Sequence, residues 1–162
     1  MLMLEWLPSA ALLIFLGWAA FVDAKKQMLP LEPLWAFLAI ALIWSVVPTS
    51  VGAGGFVGLQ DAFLGSLFWL AWTGGIWFLS QGRWMGFADL WLTAATGAVL
   101  GISASLEAWY FTYVVIGVLV AIVGLFKGLR RVAFAPMLFG GVLLAFLSGG
   151  RVLAWFAQAL HG

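Results

Sequence analysis

The chain contains no cysteine and one histidine, His161, the penultimate residue. Without thiols there is no disulfide, no thiolate nucleophile, no zinc–thiolate site and no iron–sulfur cluster. A single histidine at a position where chains ordinarily fray leaves almost nothing for a Ser-His-Asp triad or a histidine metal centre. Charge is equally scarce: 8% of the 162 residues are charged, seven of them basic and six acidic. So few basic residues exclude a nucleic-acid-binding surface. Acid–base chemistry must therefore come from carboxylates.

What the chain has is apolar length. Hydrophobic residues make up 65% of it and the mean hydropathy is +1.15, which places it in the integral-membrane class. At about 20 apolar residues per crossing, it holds about six helices and no soluble domain. Apolar runs between charge and Gly/Pro clusters predict an all-α polytopic membrane protein. Its six spans fall at roughly 8–22, 34–50, 61–80, 87–103, 108–126 and 135–157. The glycine-rich stretch 51–58 reads as a flexible connector, and no internal repeat is evident. Residues 1–162 thus read as one membrane-embedded domain. The first span is not a signal peptide, because it starts acidic at Glu5 and its basic flank follows it.

With alternating spans, Lys25, Lys26, Arg83, Lys127, Arg130 and Arg131 all fall on one side, and Arg151 alone lies toward the other. The positive-inside rule makes the first side cytosolic and both termini external. Asp23 then closes the first span and Asp89 opens the fourth, so the two carboxylates share a depth at the cytosolic edge. Ionisable groups at membrane spans are costly and are usually functional.

The remaining features carry plainer readings. Trp6, Trp35, Trp84 and Trp109 fall near span ends, as interfacial tryptophans do; Trp44, Trp69, Trp72 and Trp77 read as lipid-facing or packing residues. Asp61 opens a span on the outer side and reads as a capping residue. Glu32, next to Pro33, reads as a helix-start charge on the cytosolic side. Glu5 and Glu107 are expected to be external and solvated. Lys127, Arg130 and Arg131 read as a topology signal or a docking point for anionic lipid headgroups. Taken singly, Asp89 could be a first-turn acid facing the helix dipole and Asp23 an interfacial charge.

Around the first aspartate the chain runs Phe21-Val22-Asp23-Ala24-Lys25-Lys26-Gln27-Met28-Leu29-Pro30. Around the second it runs Met85-Gly86-Phe87-Ala88-Asp89-Leu90-Trp91, followed by a small-residue stretch that includes Gly97 and Gly101. The first segment resembles the D-x-[KR]-x-x-x-[IL]-P segment of type IV prepilin peptidases, and the second resembles their G-x-G-D motif. Phe134-Ala135-Pro136-Met137-Leu138 is similar to that family's P-F-x-P-[FL]-L stretch opening the last span. The resemblance runs over roughly 12–157, with the three motifs in order.

The resemblance implies a polytopic aspartyl protease that removes the short basic leader of type IV prepilin or pseudopilin-like precursors. It also implies an active site on the cytosolic side of the inner membrane. Asp23 and Asp89 would be the catalytic pair and Gly86 a point of close backbone approach. Ala88, Lys25, Pro30 and Pro136 would be motif-supporting or substrate-binding positions. No metal or other cofactor is implied, and the expected partners are the precursor and membrane lipids. Two adjacent carboxylates share a proton and titrate as a unit; one can take a proton from attacking water while the other donates to the peptide carbonyl.

The chain departs from the family pattern at four points. Ala88 stands for the second motif glycine, as in many archaeal preflagellin peptidases. Trp91 stands where lysine is common, and Leu31 where Asn or Asp is usual. The N-terminal cysteine-bearing segment linked to N-methylation in many bacterial members is not seen, so no methyltransferase segment is expected. Two other readings stay open: a non-catalytic relative that binds pilin helices, and a small proton-coupled transporter using the same carboxylates as a relay.

Overall fold

The structure, a computed structural model, describes residues 7–46, 58–127 and 133–161. These residues are helical, with no strand among them. In chain order the helices are α1 (Leu7–Lys26), α2 (Leu31–Val46), α3 (Leu59–Ser80) and α4 (Phe87–Trp109), then a π-helical segment (Tyr110–Ile116), α5 (Gly117–Lys127), α6 (Phe134–Ser148) and α7 (Arg151–His161). Among them, α1, α3 and the run Phe87–Val123 are long and apolar enough to cross a bilayer; α6 with α7 would make a fourth if counted as one bent span. The chain is an integral membrane protein by this composition.

Local sequence sets the helix ends. Lys25 and Lys26 in the last turn of α1 offset the negative end of its dipole, and Gln27 turns left-handed at φ 51°. Pro30 follows, where the helix cannot continue, and α2 begins at once with Glu32 and Pro33 in its first turn, where proline's missing N–H is harmless. At the end of α3, Gln81 is left-handed; its N–H and that of Gly82 return to the carbonyls of Phe78 and Trp77 at 3.2 and 2.9 Å. This is a helix-terminating turn.

The sequence places a loop near 104–107, between its fourth and fifth spans; the structure places the break at Gly101. Phe87–Val123 is 37 residues of nearly unbroken helical backbone, about 55 Å if straight and far more than a bilayer core requires. It is not straight, because Gly101 adopts φ 70°, ψ −178°, a conformation open essentially to glycine alone. The flanking contacts show a reversal. Thr73 and Thr93 meet at 3.0 Å, and Asp61 Oδ1 accepts from the Ile102 N–H at 3.0 Å. Past the break, Trp109 and Tyr113 pack on Trp72, at 5.0 and 5.9 Å between ring centroids. Residues 87–100 therefore run antiparallel to α3, and the arm from 102 onward runs parallel to it.

Small residues draw α3 and α4 together. Gly65 lies against Gly97 and Gly101 so closely that a Cβ on it would sit 2.8 Å from the Gly101 carbonyl carbon, and Ser66 Oγ donates to the Ala94 carbonyl at 2.9 Å. Close backbone approach through small residues is the usual means of helix association in lipid. The core is completed by Leu12, Leu16 and Ala19 of α1, Leu34 of α2, Trp69 of α3, Leu92 and Leu100 of α4, and Leu138, Val142 and Ala145 of α6. α1 packs antiparallel to α6: Asp23 meets Ala135, and Gly17 faces Phe139.

Three more expectations are corrected. The last span, expected over 135–157, is two helices meeting at 73°, because Gly149 and Gly150 both take positive φ. Glu107, expected to be solvated, is 3% exposed; its Oε1 accepts from Ser148 Oγ at 2.7 Å and from the Val152 N–H at 3.1 Å. A carboxylate buried with two donors at the start of α7 has exchanged water for a capping role. Trp109, expected at a span end, lies inside the arm beyond Gly101 and packs on Trp72. Expectations for Glu5, Trp6, residues 47–50, the connector apart from Gly58, Arg130 and Arg131 fall outside the described residues.

Candidate active site

The helix directions bring the end of α1 and the starts of α4 and α6 to one end of the bundle. Asp23 and Asp89 are buried there, each 8% exposed. Asp23 is near enough for its charge to act on Asp89. Each is held at a helix N-terminus, where free N–H groups and the dipole favour negative charge.

Asp23 belongs to α1 but caps α6. Its Oδ2 accepts from the Ala135 N–H at 3.0 Å. The N-cap of α6, Ala133, has no side-chain oxygen to offer, and Pro136 has no N–H, so an acid from another helix takes the role. Asp89 is held within its own helix. The Gly86 N–H donates to Asp89 Oδ2 at 2.9 Å, and the Asp89 N–H donates back to the Gly86 carbonyl at 3.1 Å. A Cβ on Gly86 would lie 3.3 Å from that Oδ2, so glycine leaves room for the carboxylate to fold back. Each aspartate commits one oxygen to a backbone N–H. Among the described residues neither Oδ1 receives a hydrogen bond.

Threonines brace the second aspartate. Thr93 Oγ1 lies 3.0 Å from the Asp89 carbonyl and 3.0 Å from Thr73 Oγ1, and Thr73 Oγ1 donates to the Trp69 carbonyl at 2.6 Å. Aromatic rings line the flanks: Trp77 packs on Phe87, Phe87 on Trp91, and Trp91 on Trp35. Trp91, where the family pattern has lysine, thus belongs to a packed aromatic row. Ala88 is half-buried against the core, and Pro136 is half-buried in the first turn of α6.

Two expected residues are not brought into this cluster. Lys25 is exposed, with its Nζ 4.2 Å above the Phe21 ring. Pro30 is exposed in the α1–α2 connection. Asp61 does cap a helix, but the one that starts at Ile102 rather than its own. An apolar cavity of about 140 Å³, lined by Leu7, Phe37, Ile40 and Val99 among others, opens at the opposite end of the bundle. Among the described residues no three His, Cys, Asp or Glu side chains group as metal ligands.

Sequence reasoning missed Tyr113. Its ring packs against Trp69, Trp72, Trp109 and Phe134, with centroids 5.9–6.3 Å away. The π-helical turn that presents it leaves no trace in hydrophobic periodicity.

No family model matches the chain, and no solved structure matches it. A curated protein does: the prepilin leader peptidase/N-methyltransferase of Neisseria gonorrhoeae is 36% identical over 83% of this chain. The match covers 46% of that relative, so the chain spans about half its length. By this identity the chain is a relative of the prepilin peptidase family.

Proposed function

We propose that this protein is a membrane aspartyl endopeptidase that cuts the short basic leader from type IV prepilin-like precursors. The observation that carries the reading is the convergence of Asp23 and Asp89, from helices far apart in sequence, at one end of the bundle. Each Oδ2 accepts a backbone N–H, and among the described residues neither Oδ1 receives a hydrogen bond. The family relationship supports the same substrate class.

In the reaction, the ionised carboxylate takes a proton from water as its oxygen bonds to the scissile carbonyl carbon. The protonated carboxyl gives its proton to the carbonyl oxygen, producing a gem-diol. Collapse re-forms the carbonyl, breaks the C–N bond and places a proton on the leaving amine. In that step the first carboxyl gives the amine the proton it took from water and the second takes one back from a gem-diol hydroxyl, so both return to the states in which they began. Anchoring each Oδ2 fixes the geometry, so little reorganisation is needed at the moment of reaction.

The proposed topology makes residues 87–100 and the arm from 102 separate crossings, giving six traversals of the inner membrane. The basic residues put the aspartates at the cytosolic face and both termini outside. A precursor helix would lie in the bilayer beside the bundle, with its basic leader at the aspartate end.

The capping bonds favour a second reading, in which both aspartates are structural and the protein binds pilin helices without cutting them. Asparagine separates the two, because it still accepts a backbone N–H but cannot exchange a proton. Purified protein should cleave a prepilin-like precursor, and Asp23→Asn and Asp89→Asn should retain the fold and lose cleavage. A folded parent that cuts none of several precursors would move the assignment to the helix-binding relative.

A further inference from the structure

Tyr113 is one of two tyrosines in the chain, and it stands on the π segment Tyr110–Ile116 rather than on regular α-helix. Such segments occur often at functional sites, where the altered register re-aims a side chain. Asp89 and Tyr113 each lie twelve residues from the Gly101 turn, on antiparallel arms.

The neighbours of Tyr113 lead to both carboxylates. Phe134, 6.0 Å from its ring centroid, precedes Ala135, whose N–H holds Asp23. Trp72, 5.9 Å away, precedes Thr73, whose hydroxyl meets Thr93 on the helix of Asp89. The phenol oxygen is shielded from solvent, yet among the described residues it has no hydrogen-bond partner. The Trp72 indole is beside it but does not meet hydrogen-bond geometry. Phenylalanine would pack as well in this aromatic nest and would bury no open polar atom. A buried tyrosine hydroxyl normally has a partner, and this one is left as a donor free to meet a ligand.

We propose that Tyr113 is a catalytic residue whose phenol donates a hydrogen bond to the scissile carbonyl oxygen as water adds to the carbonyl carbon. The inference rests on the aspartyl-peptidase reading. As the carbonyl electrons move onto oxygen, the hydrogen bond strengthens, the behaviour expected of a preorganised oxyanion donor. Tyrosine keeps its proton throughout; the proton that ends on the gem-diol oxygen comes from the protonated carboxyl. The assignment leaves the two aspartates as acid and base and gives the developing charge its own donor.

The test compares parent, Tyr113→Phe, Asp23→Asn and Asp89→Asn as purified full chains on a prepilin-like precursor with a basic leader. Tyr113→Phe should lower kcat by about a hundredfold or more, the effect of losing one such donor, with KM little changed. Parental kinetics, or a change in KM alone, would overturn the role of Tyr113; loss of cleavage in both aspartate variants would then leave the two-carboxylate reading standing. A parent that cuts nothing would overturn both. A second measurement avoids dependence on the folding of that variant. In a Tyr110→Phe background Tyr113 is the sole tyrosine, and global 3-fluorotyrosine labelling makes its phenol more acidic. A more acidic phenol that is still protonated at neutral pH donates a stronger hydrogen bond, so kcat at neutral pH should rise, and an unchanged kcat would count against a donor role.

Discussion

A single methyl group at Gly97 should separate α3 from α4. A Cβ there meets the Gly65 carbonyl and sits 2.7 Å from the Ser66 nitrogen. Both obstacles are backbone, so no rotamer change relieves the clash. Reaching ordinary contact with Ser66 N alone requires the helices to part by roughly 0.7 Å in an interface packed at interior density. The same shift stretches the Ser66–Ala94 hydrogen bond from 2.9 Å to about 3.6 Å, beyond useful length. Overpacking of this kind costs about 1–3 kcal/mol, and the lost bond about 0.5–1.5 kcal/mol. Gly97→Ala should therefore destabilise the protein by about 1.5–4.5 kcal/mol. Gly75, on the same α3, provides the control, since a Cβ there meets nothing within 4 Å. Gly75→Ala should gain the helix propensity of alanine, about 0.5–1 kcal/mol. Equilibrium unfolding in mixed micelles reads both variants against the parent. If Gly97→Ala is as stable as the parent, or Gly75→Ala loses as much, the close-approach argument is wrong.

Two further predictions concern charges that cap helices other than their own. Asp61→Ala should remove the acceptor for the Ile102 N–H and cost about 1 kcal/mol, with Asp61→Asn close to the parent; unfolding measurements and hydrogen exchange at Ile102 check both. Glu107→Ala should leave Ser148 Oγ and the Val152 N–H without their shared acceptor, a loss of about 1–3 kcal/mol. Faster amide exchange through the first turn of α7 should accompany it, and Glu107→Gln should restore most of the protection.

The apolar runs carried the helices, and scarcity of charge singled out Asp23 and Asp89 before any geometry was known. Gly86 stood out in the motif as a point of close backbone approach, and a Cβ there would lie 3.3 Å from Asp89 Oδ2. What the sequence hid shares one cause, since it records spacing along the chain but not which helix end faces which side chain. Glu107 looked solvated because a lone acid between apolar runs usually marks a loop, and the two donors that bury it lie 41 and 45 residues later. Asp61 was read as a cap, but its partner N–H is 41 residues away. Gly101 sits among Gly97, Ala98 and other small residues, so the turn at positive φ did not stand out. Tyr113 escaped because a π turn changes helical register by one residue, too little to disturb an apolar pattern.

The bond from Asp23 to Ala135 has a consequence for biosynthesis. Its two ends are 112 residues apart, so the first aspartate leaves the ribosome long before the helix that fixes it. Chains are made N-terminus first, and until α6 docks, Asp23 has no anchor and α6 has no cap. A nascent or truncated chain lacking that helix thus holds both aspartates but not their fixed arrangement. The two carboxylates are fixed relative to one another only on completion of the bundle.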